Sequence, residues 1–188
     1  ATFFILPDAR PGGSFSAQRR AGGVILQVSV GEPWSGAVRI AVATEVVKAY
    51  VGERLWIGAP EKPAHSYWFS EGLTRAFARD LLFSFGLLTP SELVKEVNGL
   101  IGTLVTSPLK AKSNAVLAEK TGDPGVIPVL VSRGALYATR IDALLKAKPG
   151  AKQSLQQVLL SLYAQAASAK GPLPTSAWTS AVSSALDA

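Results

Sequence analysis

From residue 35 onward the chain is a succession of helix starts, each followed by apolar residues at helical spacing, and that pattern leaves little choice of fold class. Ser35 is placed to cap a helix from about Gly36 to Val51, with Gly52 as its stop. Val38, Val42 and Val46 in that helix fall at i+4 spacing, and Val47 and Val51 extend the apolar surface. Thr89-Pro90-Ser91-Glu92 reads as a capping box with proline at the first helical position, ahead of Leu93, Val94, Val97, Leu100, Ile101 and Leu104. Ser154-Leu155-Gln156-Gln157 opens a helix to about Ala169, broken by Gly171-Pro172, and Thr175 or Ser176 starts a last one carrying Trp178, Val182 and Ala185. Between these lie a helix from about Trp68 to Phe85 with Leu73, Phe77 and Leu81 as its stripe, a short one around Ala115 to Lys120, and a long one from Val126 to Lys148.

Extended structure is confined to residues 1–34. Phe3 to Leu6 is a short apolar strand closed by Pro7-Asp8, and Arg10 to Ser14 is a turn-rich loop. Val24 to Val30 is a second strand, ended by Gly31-Glu32-Pro33. The expected fold is therefore α+β and mostly α: one domain over 1–188, with a small β-region at 1–34 and a helical part at 35–188. A start at Ala-Thr-Phe-Phe, without an initiator Met, reads as a fragment or processed product of a longer chain.

Composition removes several functional classes. The chain has no Cys, so no disulfide or thiolate site exists, and one His, so a site needing two or three histidines is excluded by arithmetic. The net charge of +6 comes from scattered residues such as Arg19, Arg20, Arg75, Arg79, Lys110, Lys112, Lys146 and Lys152. Without a dense basic run interleaved with aromatics, no nucleic-acid partner is expected. No apolar run approaches the roughly 18 residues of a membrane span.

Two segments carry chemistry in their spacing. Ala43-Thr44-Glu45-Val46-Val47-Lys48 sits in the first helix, and Tyr67-Trp68-Phe69-Ser70-Glu71-Gly72-Leu73-Thr74 opens the second. The second resembles the third-ligand segment of gluzincin metallopeptidases, most closely the glycyl-aminopeptidase family M61. In that family an upstream helix carries H-E-x-x-H, and the glutamate of E-G-[FL]-T completes the zinc site. Helical residues four apart share a face, which lets two imidazoles reach one Zn²⁺ while the intervening Glu holds the attacking water. Laid on this chain, the ligand positions are Thr44, Lys48 and Glu71 and the general base is Glu45. A Thr hydroxyl is a poor neutral ligand and a protonated Lys has no lone pair, so no zinc is expected.

The resemblance extends further. Gly52-Glu53-Arg54-Leu55-Trp56 is similar to the N-G-x-x-L segment after the family's H-E-x-x-H. Ser132-Arg133-Gly134-Ala135-Leu136-Tyr137 followed by Ile141-Asp142-Ala143-Leu144-Leu145 resembles its Y-x-[KR]-G…LD-x-x-[IL] helix. The tyrosine that stabilises the transition-state oxyanion there falls on Val131 here, which has no donor. The family's cleft-strand run G-G-x-E-H is not visible; Ser14 to Arg20 occupies its region. The resemblance implies a thermolysin-like catalytic domain, flanked in the full chain by a β-domain and a PDZ domain and located outside the cytoplasm.

These substitutions lead to a catalytically inactive domain retained as a structural or peptide- or protein-binding module, with a bound segment adding as a strand near Val24 to Val30. Lys48 then either forms a charge cluster with Glu45 and Glu71 or reaches solvent. Glu71 either belongs to that cluster or pairs with Arg75 four residues on. The alternative function is an active peptidase of non-standard site, using His65 with Glu45, Glu71 or Asp80. No G-x-S-x-G nucleophile elbow is present.

Overall fold

A computed structural model describes residues 2–8, 13–147 and 154–187. The fold is α+β and mostly helical, with a three-stranded sheet at its start. Strands β1 (Thr2–Asp8), β2 (Phe15–Arg20) and β3 (Gly23–Ser29) are ordered β1-β3-β2. β2 and β3 form an antiparallel hairpin, Arg20 opposite Gly23, closed over Ala21 and Gly22, the latter at φ +79°. β1 runs parallel to β3 on its other side, Thr2 opposite Gly23 and Asp8 opposite Ser29. Val24 and Leu26 point inward and are buried, whereas Phe3, Phe4, Ile5 and Leu6 of β1 all remain exposed.

Two expectations for this region change. The segment Ser14 to Arg20 supplies strand β2, whose apolar alternation is too weak to mark it without its partner. Strand β3 is central and paired on both sides, so it offers no edge to an added peptide; the outer strands of the sheet are β1 and β2.

Among the described residues seven α-helices follow: α1 (Gly36–Val47), α2 (Thr74–Ser84), α3 (Pro90–Thr106), α4 (Asn114–Ala118), α5 (Val126–Lys146), α6 (Leu155–Ala169) and α7 (Thr175–Asp187). Ser35, Thr89, Ser113 and Ser154 each accept a backbone N–H of the first turn they precede. Glu92 completes the capping box at Thr89 and reaches beyond it. Its Oε2 accepts the Thr89 N–H at 2.9 Å, and its Oε1 accepts the Gly36 N–H at 2.9 Å and Arg39 at 2.6 Å. One carboxylate thus serves the starts of α1 and α3, and the Thr89 N–H and hydroxyl, with the Arg39 charge, hold its pKa below the usual carboxylate value against the cost of burial.

Helix α1 stops at Val47, short of Val51. Its chain turns at Lys48 to Tyr50, Val51 bridges to Leu55, and Gly52 takes φ +115°. The buried side of α1 is Val38, Ile40, Thr44 and Glu45, with Val42 and Val46 only half-buried. Arg10 to Gly12, Lys148 to Gly150 and Lys152 lie outside the described residues.

The helix expected from Trp68 begins as a π-helix over Trp68–Leu73, in which the Thr74 N–H reaches back to the Phe69 carbonyl, and continues as α2. A π-turn carries an extra residue per turn and occurs mostly as short insertions at functional places. This one lies against α5 with almost no space between backbones. A Cβ added to Gly72 would stand 2.6 Å from the Val131 carbonyl oxygen and 2.8 Å from the Gly134 Cα. A Cβ on Gly134 would meet the Trp68 carbonyl, whose carbon would be 2.7 Å away. Around this contact Phe69, Leu73, Ala135, Ala138, Leu162 and Trp178 form the main core, and Leu117, Val126, Val129 and Leu130 form a smaller one.

Two glycines therefore respond oppositely to alanine. Gly134→Ala forces backbones apart and is expected to cost about 3 kcal/mol or more. Gly99 sits in α3 with nothing within 4 Å of an added Cβ, so Gly99→Ala is expected to stabilise by about 0.5–1 kcal/mol through helix propensity. Urea denaturation of the two variants reads both signs.

Candidate functional site

The site is assembled from the last turn of α1, the π-turn and the outer edge of β2. Glu45 and Lys48, three residues apart, share a face of α1. The Lys48 ammonium lies 2.7 Å from Glu45 Oε1 and 2.6 Å from Glu71 Oε2 of the π-turn. The other oxygen of Glu45 accepts the backbone N–H of Arg19 in β2 at 2.8 Å, and the Arg19 side chain pairs with Glu53 at 2.6 Å. Three segments distant in sequence are joined through one cation and two carboxylates. Lys48 and Glu45 are largely buried there, and Glu71 is about a third exposed.

Burial and the sharing of one ammonium by two carboxylates together set the titration of the cluster. Burial opposes the Lys48 charge, but the attraction and hydrogen bonds of Glu71 and Glu45 outweigh it and hold its pKa above the ordinary 10.5. Burial likewise opposes the Glu71 charge. Lys48 offsets this only in part and Glu45 adds repulsion, so the Glu71 pKa stands above the ordinary 4.5. One ammonium serves two carboxylates, and Glu71 carries the uncompensated share.

The remaining residues singled out by sequence are placed as follows. Thr44 is buried and its hydroxyl donates to the Ile40 carbonyl at 2.7 Å, within its own helix. Val131 lies in α5, half-buried, with its carbonyl oxygen against Gly72. Glu71 does not pair with Arg75; that guanidinium reaches α3, with Nε 2.6 Å from Glu96 Oε1 and an η nitrogen 3.0 Å from Oε2. His65 sits in a short 3₁₀ turn (Pro63–Ser66), and its Nε2 lies 2.8 Å from Glu119. Asp80 pairs with the buried Arg79 at 2.7 Å, and burial pushes its pKa up against the pull of that arginine. His65 and Asp80 are thus each engaged away from the Lys48 cluster, and no imidazole–carboxylate unit forms around Glu45 or Glu71.

The Thr44 hydroxyl is committed to its own helix, and the point between Glu45 and Glu71 is filled by an ammonium that offers no lone pair. Among the described residues, no group of three or more His, Cys, Asp and Glu is arranged to hold a metal, and no helix is long and apolar enough to cross a membrane. The participant missed in sequence is Arg19, whose role belongs to its backbone N–H and depends on the pairing of β2 with β3.

Removing the cation has a signed consequence. Lys48→Met leaves two half-buried carboxylates facing each other and is expected to cost about 2 kcal/mol at neutral pH, between the values typical of exposed and buried pairs. Repulsion raises the folded-state carboxyl pKa further above the unfolded value. The variant therefore binds a proton on folding and recovers stability as pH falls from 7 toward 4.5. In the wild type, the Lys48 contribution is present below pH 10.5 and is lost as pH rises through its higher folded-state pKa. Urea midpoints across pH for both proteins check the two trends.

In comparisons with known proteins, no protein-family model matches the chain, and no curated protein does.

Proposed function

We propose that the chain is a glycyl-aminopeptidase-like gluzincin domain without peptidase chemistry, a structural or peptide- or protein-binding module whose lysine stands in for the metal. The observation that carries this reading is the Lys48 ammonium, 2.7 Å from Glu45 and 2.6 Å from Glu71. The two segments that resemble the family's ligand-bearing segments are neighbours in space, and a cation lies between their glutamates. A third resembling segment, at Arg133-Gly134, packs directly on the second through Gly134 and Gly72. With Thr44, Lys48 and Val131 in the positions of two ligands and the oxyanion donor, neither a metal-bound water nor an oxyanion partner forms, and Glu45 has no water to activate.

Rebuilding the site tests the reading. The double variant Thr44→His, Lys48→His restores H-E-x-x-H with Glu71 as third ligand. After equilibration with Zn²⁺ and removal of free metal, it is expected to retain about one zinc per chain, as a three-ligand site does, while the wild type retains none. A folded double variant that holds no zinc would sink the gluzincin geometry, and stoichiometric zinc on the wild type would sink the stand-in role of Lys48.

A further inference from the structure

A cavity of about 360 Å³ opens on the far side of the π-turn, between Trp68, Arg133 and Tyr137 on one wall and Trp178, Thr175 and Thr179 of α7 on the other. That volume is in the range of small-molecule sites. Its floor is aromatic. The ring centres of Trp68 and Trp178 are 5.8 Å apart, those of Trp68 and Tyr137 6.1 Å, and those of Tyr137 and Trp178 6.4 Å. Tyr137 is 44% exposed, so one face of the cluster is open to a ligand.

Aromatic faces alone would suit a cation. Arg133 reverses that preference. Its guanidinium is fixed by neutral acceptors only, with its η nitrogens each 2.8 Å from the Asn114 side-chain oxygen and the Lys110 carbonyl. Among the described residues no carboxylate pairs with it, and its Nε–H has no protein acceptor. The result is a half-buried positive charge, held in place by its neighbours, beside apolar rings. A preorganised guanidinium of this kind takes a carboxylate in charge-assisted hydrogen bonds. The indole N–H of Trp178, in the opposite wall, is also without an acceptor among the described residues.

We propose that this cavity binds a carboxylate carried on an aromatic or large apolar group, the acid on Arg133 and the apolar part against Tyr137 and Trp68. Neither Lys48 nor Glu71 lines it, so the inference stands apart from the reading of the Lys48 cluster. The chemistry is shared by two sources, the C-terminus of a chain ending in an aromatic residue and a free aromatic acid.

The test titrates the protein with N-acetylphenylalanine and with its amide, following tryptophan fluorescence. The acid is expected to bind saturably and the amide about tenfold or more weakly, the value of a charge-assisted pair. Arg133→Gln should abolish the difference between acid and amide, and Arg133→Lys should keep part of it. Because Arg133 also anchors the loop before α4, Tyr137→Ala provides a change at an exposed ring, and it should weaken both probes. Gly-Gly-Phe binding better than 3-phenylpropanoate assigns the site to a chain terminus; the reverse order assigns it to a free acid. Equal affinity for acid and amide, no saturable binding of either, or an acid preference retained in a folded Arg133→Gln variant would overturn the proposal.

Discussion

The close approach of the Trp68–Leu73 backbone to α5 governs where every side chain of the site ends up. Two glycines make it: Gly134 lets the Trp68 carbonyl rest on α5, and Gly72 lets the Val131 carbonyl rest on the π-turn. With no side chains intervening, the two backbones cannot slide without collision. The extra residue of the π-turn then splits its side chains between two tasks. Trp68, Phe69 and Leu73 go to the core, with Phe69 and Trp178 edge-to-face at 5.5 Å, and Glu71 is left to face α1. The aromatic packing offsets the poorer hydrogen-bond geometry of the π-turn.

The charge cluster works within that frame as a tie rather than as a source of stability on its own. A half-buried ion pair gains little net energy, because desolvation consumes most of the Coulombic term. What it supplies is selectivity of position. Lys48 reaches Glu71 only while α1 stops where it does, and Glu45 reaches β2 only while the hairpin keeps its register. A divalent ion at the same point would bring twice the charge to the same two carboxylates. The single charge of lysine offsets only part of the burial that raises the Glu71 pKa.

How much of this the sequence disclosed depends on the range of the interaction involved. Helix starts were readable because Ser35, Thr89 and Ser154 act on the backbone within three residues. The nearness of Lys48 to Glu45 was readable as helical spacing, whereas its nearness to Glu71 depends on tertiary packing. The π-turn left no local trace, since its cause is the backbone of α5 lying against it. Gly134 lies inside a long helix, and its reason lies some 66 residues away in the Trp68 carbonyl. Arg75 was weighed against Glu71 at i+4, yet took Glu96 of α3 in a two-pronged pair that tertiary packing alone supplies. Strand β2 escaped for the same reason: Ser16, Gln18 and Arg20 become a strand by pairing with β3, not by their own preference.

The order of the sheet has a consequence for how it opens. The β2–β3 hairpin closes through two residues, whereas β1 attaches only after β3 is in place, by parallel pairing across the intervening hairpin. Since β1 buries so little of Phe3, Phe4, Ile5 and Leu6, its detachment sacrifices few apolar contacts, and its amides belong among the first in the sheet to exchange with deuterium. Each detachment bares the outer row of β3 hydrogen-bonding groups from Gly23 to Ser29 without disturbing the hairpin or the tie between Arg19 and Glu45. The sheet is thus built with a detachable margin, and an extended strand able to displace β1 would find a template already in register.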